Sequence, residues 1–355
     1  MNMIMFRMVL ATFFISLISS VLLSLSILPQ RMDMNRNKSN RFQNPGLRQG
    51  NQFSGLLKWQ FNRIGKVPSF SSARDLFPVI EPKWDIINSK PNELTITWVG
   101  HSTLLVQIEG LTILTDPIFS ERCSPSQLFG PRRFTPVPFP PEALPAIDAV
   151  VISHNHYDHL DEATVKALGN QPVWFVPRGV KRWFVKRGIT NVIEMDWWQE
   201  YQLGRVTIVC TPSQHFSGRS PFDRNRTLWS SWAIIGTEQR FWFAGDTGHS
   251  PLFSEVGIKY GPFDLAAIPI GSYGPEWFML PIHVNPAQAI QVHKDVRARQ
   301  SVGIHYGTFI LSDEPVTEPV ELLKEEREKA GMRESEFFTI QHGETRIIKN
   351  NKETG

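Results

Sequence analysis

Cysteine is almost missing. Cys123 and Cys210 are the only two among 355 residues, and they form no C-x-x-C pair. A disulfide framework and a cysteine zinc knuckle are thereby excluded. No excess of charge of either sign is present, since 37 Lys and Arg stand against 34 Asp and Glu, a net +3. So neutral a chain has no broad field to gather nucleic acid, which is not expected as a partner. No repeat with a period of about 20–50 residues runs along it, which sets aside solenoids and propellers. Glycine and proline, at 24 and 26 residues, are too few for a collagen-like or low-complexity chain. With 41% hydrophobic and 20% charged residues the composition is that of a globular domain. It is neither disordered nor polytopic in a membrane.

One long apolar run is present. Met8 to Leu28 carries no charge, and Arg7 precedes it while Arg31, Arg36, Lys38 and Arg41 follow. About 20 residues at 1.5 Å each cross a hydrocarbon core. Residues 1–29 are therefore read as an N-terminal membrane anchor. A cleaved export signal, ending at the weak site Ser24-Leu25-Ser26, is the alternative. The heavier basic flank follows the run, which favours a cytoplasmic body. Residues 30–58 read as a polar basic linker, in which Arg31, Arg36, Lys38, Arg41, Arg48 and Lys58 face only Asp33. Such a stretch can rest on anionic lipid, so the partners expected include a membrane surface. Residues 59–355 then form one domain, long enough for a single large core.

Within it, Thr95–Val99, Thr103–Ile108 and Leu111–Thr115 read as strands by their β-branched and alternating pattern. Ala149–Ser153 is a short apolar run of the kind buried on both faces. Val173–Val176, Val206–Thr211, Trp229–Ile235, Arg240–Ala244, Leu265–Ile268 and Ser301–Ile304 follow as strand candidates. Helical patterns fall at Asp161–Leu168, Val180–Lys186, Asn285–Asp295 and Glu318–Ala330. Many strands with few helices predict an α+β fold of two sheets with helices outside, not a doubly wound parallel sheet.

The chemistry lies in the histidines. Ser153-His154-Asn155-His156-Tyr157-Asp158-His159 follows the buried run directly. A strand end opening into a tight loop aims several side chains at one point, and imidazole and carboxylate are ligands that zinc, iron and manganese accept. Further members of such a site should recur at later strand ends. His215 follows Val206–Thr211, Asp246 stands in Gly245-Asp246-Thr247-Gly248 after Arg240–Ala244, and His305 follows Ser301–Ile304. The glycines beside Asp246 are expected to let the backbone approach a ligand closely.

This order, H-x-H-x-D-H, then His, then Asp in GDTG, then His, resembles the metallo-β-lactamase superfamily. WVGHST (98–103), LTDPIFS (114–120), GPRRF (130–134), ISHNHYDHLD (152–161), TPSQH (211–215), FAGDTG (243–248), GPFDLAAIPIGSY (261–273) and IHYGTF (304–309) resemble its N-acylphosphatidylethanolamine-hydrolysing phospholipase D family. The likeness runs from Trp98 to Phe309 and leaves out the N-terminal segment. It implies an αββα sandwich with two metal ions, zinc being the ion that histidine and aspartate suit, with other divalent metals as alternatives. It further implies that His154, His156 and His215 hold one ion, that Asp158, His159 and His305 hold the other, and that Asp246 bridges. Asp158 and Asp246 would then be catalytic carboxylates as well as ligands. A phospholipid would be the substrate, and the alternative is a lactonase or phosphodiesterase acting on a soluble one. Self-association into a homodimer is a further expectation.

Around this set, Asp116 is expected to accept a hydrogen bond from a ligand imidazole, and His101 to orient the site. The resemblance places His283 at the mouth as a general acid or phosphate contact. Trp277, Phe278 and Met279, with Leu280, form an apolar run that suits a lipid-facing lip. His249, His293 and His342 read as surface or structural residues.

Overall fold

The computed structural model describes residues 41–45, 55, 58–59, 73 and 75–349. The expected anchor, 1–29, and most of the expected linker lie outside them. Among the described residues no helix is long and apolar enough to cross a membrane.

Two seven-stranded sheets face each other. The first is ordered β14-β1-β2-β3-β4-β5-β6, built from β1 (Thr95–Gly100), β2 (Thr103–Ile108), β3 (Leu111–Thr115), β4 (Ala149–Val151), β5 (Val173–Pro177), β6 (Val192–Met195) and β14 (Thr345–Ile347). The second is ordered β13-β12-β11-β10-β9-β8-β7, built from β7 (Glu200–Leu203), β8 (Val206–Thr211), β9 (Ser231–Ile235), β10 (Arg240–Phe243), β11 (Leu265–Pro269), β12 (Ser301–Ile304) and β13 (Phe337–Phe338). Alternation decides which residues face which layer. Leu104, Val106 and Ile108 of β2, with Ala149 and Val151 of β4, enter the core between the sheets. Leu105 and Val150 point the other way, where Ile87, Val165 and Phe184 cover them. These last three belong to the helices α1 (Trp84–Ser89), α2 (Glu162–Leu168) and α3 (Lys181–Val185). α4 (Leu252–Tyr260), α6 (Pro286–Asp295) and α7 (Glu318–Lys329) pack together on the second sheet, and α5 (Glu276–Met279) is a short turn near the site. The expected two-sheet sandwich with helices outside is the one observed.

Strand direction gathers the chemistry on one edge. β1 and β3 both run antiparallel to β2, and β4 runs parallel to β3, so the carboxyl ends of β1, β3 and β4 share an edge. β8 and β10 are each antiparallel to β9, while β11 and β12 continue parallel to β10. Their carboxyl ends therefore share an edge too. Cross-sheet hydrogen bonds join the two edges: Ser230 N donates to Ser153 O at 2.8 Å, His305 N to His101 O at 3.0 Å, and Trp232 Nε1 to Ile152 O at 2.9 Å.

The linker expected over 30–58 needs correction at residues 41–45. Phe42 is 1% exposed and belongs to the main core, although its neighbours are polar. Asn44 is buried, accepting from Trp229 Nε1 at 2.9 Å and donating to His215 O at 2.7 Å. Lys58 sits over the Trp277 ring at 5.0 Å. Arg41 and the Phe42 backbone add hydrogen bonds to Phe222, Arg224 and Asn225, so a stretch whose average composition reads as solvated is docked. Several edge elements, among them β7, β13 and β14, escape the sequence pattern because they are short or exposed. The Glu200–Leu203 strand, for instance, has three exposed residues in four.

Candidate metal centre

Each cluster residue stands just past a strand end on the shared edge. His101 lies in the β1–β2 turn, Asp116 after β3, His154 to His159 after β4, His215 after β8, Asp246 after β10 and His305 after β12. His101, Asp116 and His305 hold left-handed backbone, with φ of 53°, 34° and 61°. Such strain gathers where a site over-determines its residues.

The ligand atoms of His154, His156 and His215 lie within 4.8 Å of one another, and so do those of His101, Asp158, His159 and His305. His156 Nδ1 is 2.7 Å from His154 Nε2 and 3.3 Å from His215 Nε2. Asp246 touches both groups. Its Oδ2 is 3.1 Å from His159 Nε2, 3.8 Å from His215 Nε2 and 4.0 Å from His154 Nε2, and its Oδ1 is 3.1 Å from His305 Nε2. All seven residues that the sequence singled out as ligands therefore converge.

The outward nitrogens are engaged, which fixes what the inward ones offer. His159 Nδ1 donates to Asp116 Oδ2 at 2.6 Å, and His215 Nδ1 to Ile282 O at 2.9 Å. A neutral imidazole has one N–H and one lone pair, so Nε2 of both rings presents a lone pair to the interior. His159 Nε2, His305 Nε2 and Asp246 Oδ1 are buried without a hydrogen-bond partner. Lone pairs and carboxylates pointing at one another repel unless a cation lies among them. The donor set therefore fits divalent ions. Where no cation lies among them, a ring proton takes its place. Burial alone lowers the His305 imidazole, but Asp246 and Asp158 overcome it and raise it to about 9. His159 is likewise raised well above the ordinary value, by Asp246, Asp158 and Asp116 against its burial.

Supporting contacts surround this set. Asp116 also binds Ser153, whose N–H donates to Oδ1 at 2.6 Å. Ser153 Oγ faces His154 Nδ1 at 2.9 Å, so Asp116 reaches two rings of the cluster, His159 directly and His154 through the serine. His101 is lowered to about 3, first by burial and then by His305, so its ring is neutral and meets Asp158 Oδ2 at 3.0 Å through Nε2. The sequence missed Ser153, Asn44 and Ile282, because two act through side chains remote in sequence or neutral in type and one acts through its carbonyl. The glycines beside Asp246 need a different explanation from the expected one. A Cβ on Gly245 would stand 2.4 Å from Ser153 Cβ, and one on Gly248 would stand 2.5 Å from Pro281 O. These glycines admit protein neighbours, not a ligand.

At the mouth, His283 Nδ1 is buried without a hydrogen-bond partner, 4.0 Å from Asp246 Oδ2. The apolar run divides. Trp277 is 53% exposed, Phe278 stacks on Trp59 at 5.5 Å, and Met279 is turned inward at 6% exposed. Met279 packs with Trp59, Ile282 and Phe216, and the Phe216 ring meets that of His156 at 4.5 Å. A chain of apolar contacts thus joins the lip to the cluster, with Met279 buried inside it and not on the rim. His293 and His342 are buried and structural: His293 Nδ1 pairs with Ser301 Oγ at 2.8 Å, and the His342 ring packs tilted against Trp98 with centroids 4.1 Å apart. Half-exposed His249 pairs with Asp295 at 2.8 Å.

The beta-lactamase superfamily domain matches residues 112–306. The chain is 44% identical over 266 residues to N-acyl-phosphatidylethanolamine-hydrolyzing phospholipase D 1 of Caenorhabditis elegans, spanning 71% of this chain and 75% of that one. It is 38% identical over 247 residues to the mitochondrial N-acyl-phosphatidylethanolamine-hydrolyzing phospholipase D of Saccharomyces cerevisiae, spanning 67% of this chain and 53% of that one. Isothiocyanate hydrolase from Delia radicum gut bacteria shares the fold, with a TM-score of 0.58 at 21% identity over 71% of this chain and 98% of that one. With the fold, the strand-end cluster and these likenesses in hand, the chain belongs to the beta-lactamase superfamily and, within it, to the family of N-acyl-phosphatidylethanolamine-hydrolysing phospholipases D.

Proposed function

We propose that the protein hydrolyses N-acylphosphatidylethanolamine to N-acylethanolamine and phosphatidic acid, as a phosphodiesterase of phospholipase D type with two divalent ions, zinc by the character of its donors. The observation that carries the metal reading is Asp246, one carboxylate within 4.0 Å of nitrogens from both histidine groups. The likeness to the two phospholipases D supports the substrate.

His154, His156 and His215 would hold one ion, Asp158, His159 and His305 the other, and Asp246 would stand between them. Bound there, the ions supply Lewis acidity to a phosphoryl oxygen and acidify water, so no nucleophilic side chain is required. The chain's own residues supply order. Asp116 and the Ile282 carbonyl set the tautomers of His159 and His215, and His101 restrains Asp158. Burial, against the pull of Asp246, lowers His283 to about 4, so its ring is neutral near pH 7. A neutral ring suits a hydrogen bond to a phosphoryl oxygen better than proton donation. Trp277 and Phe278 meet acyl chains, and Met279 with Phe216 lines the way inward. Neither cysteine serves as nucleophile, since burial raises both thiols. The apolar run from Met8 to Leu28 would keep the enzyme beside its bilayer substrate.

The test is an assay with N-acylphosphatidylethanolamine in mixed micelles, beside Asp246→Asn and a metal-stripped sample. Metal-dependent release of N-acylethanolamine that the variant lacks is expected. A protein that holds its metals yet releases none would overturn the lipid and leave lactones and soluble phosphodiesters to be tried.

A further inference from the structure

Three of the proposed ligands, His156, Asp158 and His159, lie on one loop between Asn155 and Leu160. His215 begins another loop, which runs on to Asn225. The side chain of Arg219, on that second loop, reaches across to the first. Its Nη1 donates to Asn155 O at 3.0 Å and to Leu160 O at 2.8 Å. Its guanidinium carbon lies 3.8 Å from the Tyr157 ring centroid and 5.3 Å from that of Trp183 on α3. Return contacts close the arrangement. Tyr157 OH donates to Arg219 O at 3.1 Å, and Gly218 N to Asn155 Oδ1 at 2.7 Å. Asp223 fastens the second loop on itself, accepting from Arg219 N at 3.0 Å and Ser220 N at 2.8 Å.

We propose that Arg219 is a positioning residue, a clamp that closes the two ends of the Asn155–Leu160 loop and thereby holds three ligands in register with His215. The chemistry favours arginine for this task. One Nη carries two N–H groups and can serve both carbonyls, while the flat guanidinium lies on an aromatic ring. Carbonyl oxygens at the ends of a tight loop otherwise turn toward water and let the loop spread. Arg219 is not among the cluster's ligand groups, so its effect reaches the centre only through the loop. It rests on the reading of the cluster as a metal centre, and it goes beyond that reading in naming what keeps the centre closed.

The test uses the full chain with Arg219→Lys and Arg219→Ala. Lysine keeps the charge without the planar stack; alanine removes both. Hydrogen exchange reports the loop directly, because the amides of His159 and Leu160 both bond to His156 O, at 3.2 and 2.9 Å. Faster exchange confined to this loop is expected in both variants. Zinc release to a chromophoric chelator should be about tenfold faster, as for other groups that orient ligands. Low-millimolar guanidinium should slow it again in the alanine variant and not in the lysine variant. If the alanine variant does not fold, the lysine variant carries exchange and release alone. Exchange and release unchanged from the parent, with zinc bound normally, would overturn the clamp and leave the metal centre standing. A parent chain that bound no zinc would overturn both.

Discussion

At the scale of single residues, the site is made by groups that neutralise one another across the gap between two sheets. Asp116 shows how much depends on a residue outside the ligand set, for it holds His159 at 2.6 Å and Ser153 through both carboxylate oxygens. Asp116→Asn is expected to turn a donor toward the His159 N–H, flip or displace the ring and weaken metal binding by roughly 10–100-fold, as read by chelator competition. Asp246→Asn should do more. It removes the one carboxylate that meets both groups, so metal content should fall below that of the parent chain, and kcat/KM should drop by at least about 100-fold. The left-handed backbone at His101 and His305 costs about 1–2 kcal/mol at each residue bearing a Cβ, and it is held there by contacts such as His305 N to His101 O at 3.0 Å.

At the scale of elements, the strand ends must approach closely for the side chains to meet. Gly245 sits at φ 60°, and a Cβ there would overlap Ser153 at 2.4 Å. Gly245→Ala should therefore destabilise the fold by about 2–4 kcal/mol, seen as a lower denaturation midpoint, and it should disturb the Asp116–Ser153–His154 contacts as well. Helix α6 carries a pH response of its own. Burial lowers His293 from its ordinary 6.5 to about 4, against Glu336, which raises it. Between those values the unfolded chain takes a proton that the folded one refuses, so this stability is complete above about pH 6.5 and declines as pH falls toward 4. In His293→Gln, the loss of thermal midpoint between pH 7 and pH 4.5 should be smaller than in the parent chain.

At the scale of the whole molecule, the catalytic body includes part of the stretch that composition assigns to a linker. A chain lacking residues 1–58 gives up the Phe42 side chain, 1% exposed, and the hydrogen bonds of Asn44 to His215 and Trp229. Burial of one phenylalanine contributes about 1.5–3 kcal/mol. That truncation should melt several degrees below one that lacks only residues 1–40, as measured by thermal unfolding of both. Removal of metal should also lower the midpoint, since binding to the folded cluster and not to the unfolded chain adds its free energy to that of folding.

The sequence by itself determined the two-sheet architecture and the membership of the cluster. Period-2 burial and β-branched runs mark strands, and a dense H-x-H-x-D-H loop behind a buried strand is hard to reconcile with anything but ligation. His215, Asp246 and His305 could be picked out because each follows an apolar run and strand ends are where side chains can leave a sheet. The tertiary structure decided what spacing along the chain does not encode. It turned Met279 inward, gave Gly245 and Gly248 to protein neighbours, drew Phe42 and Asn44 out of a polar stretch into the core, and set Arg219 across the ligand loop. Each of these depends on a partner far away in the sequence, and a residue's type fixes only what it can bond to, whereas the fold fixes what it meets.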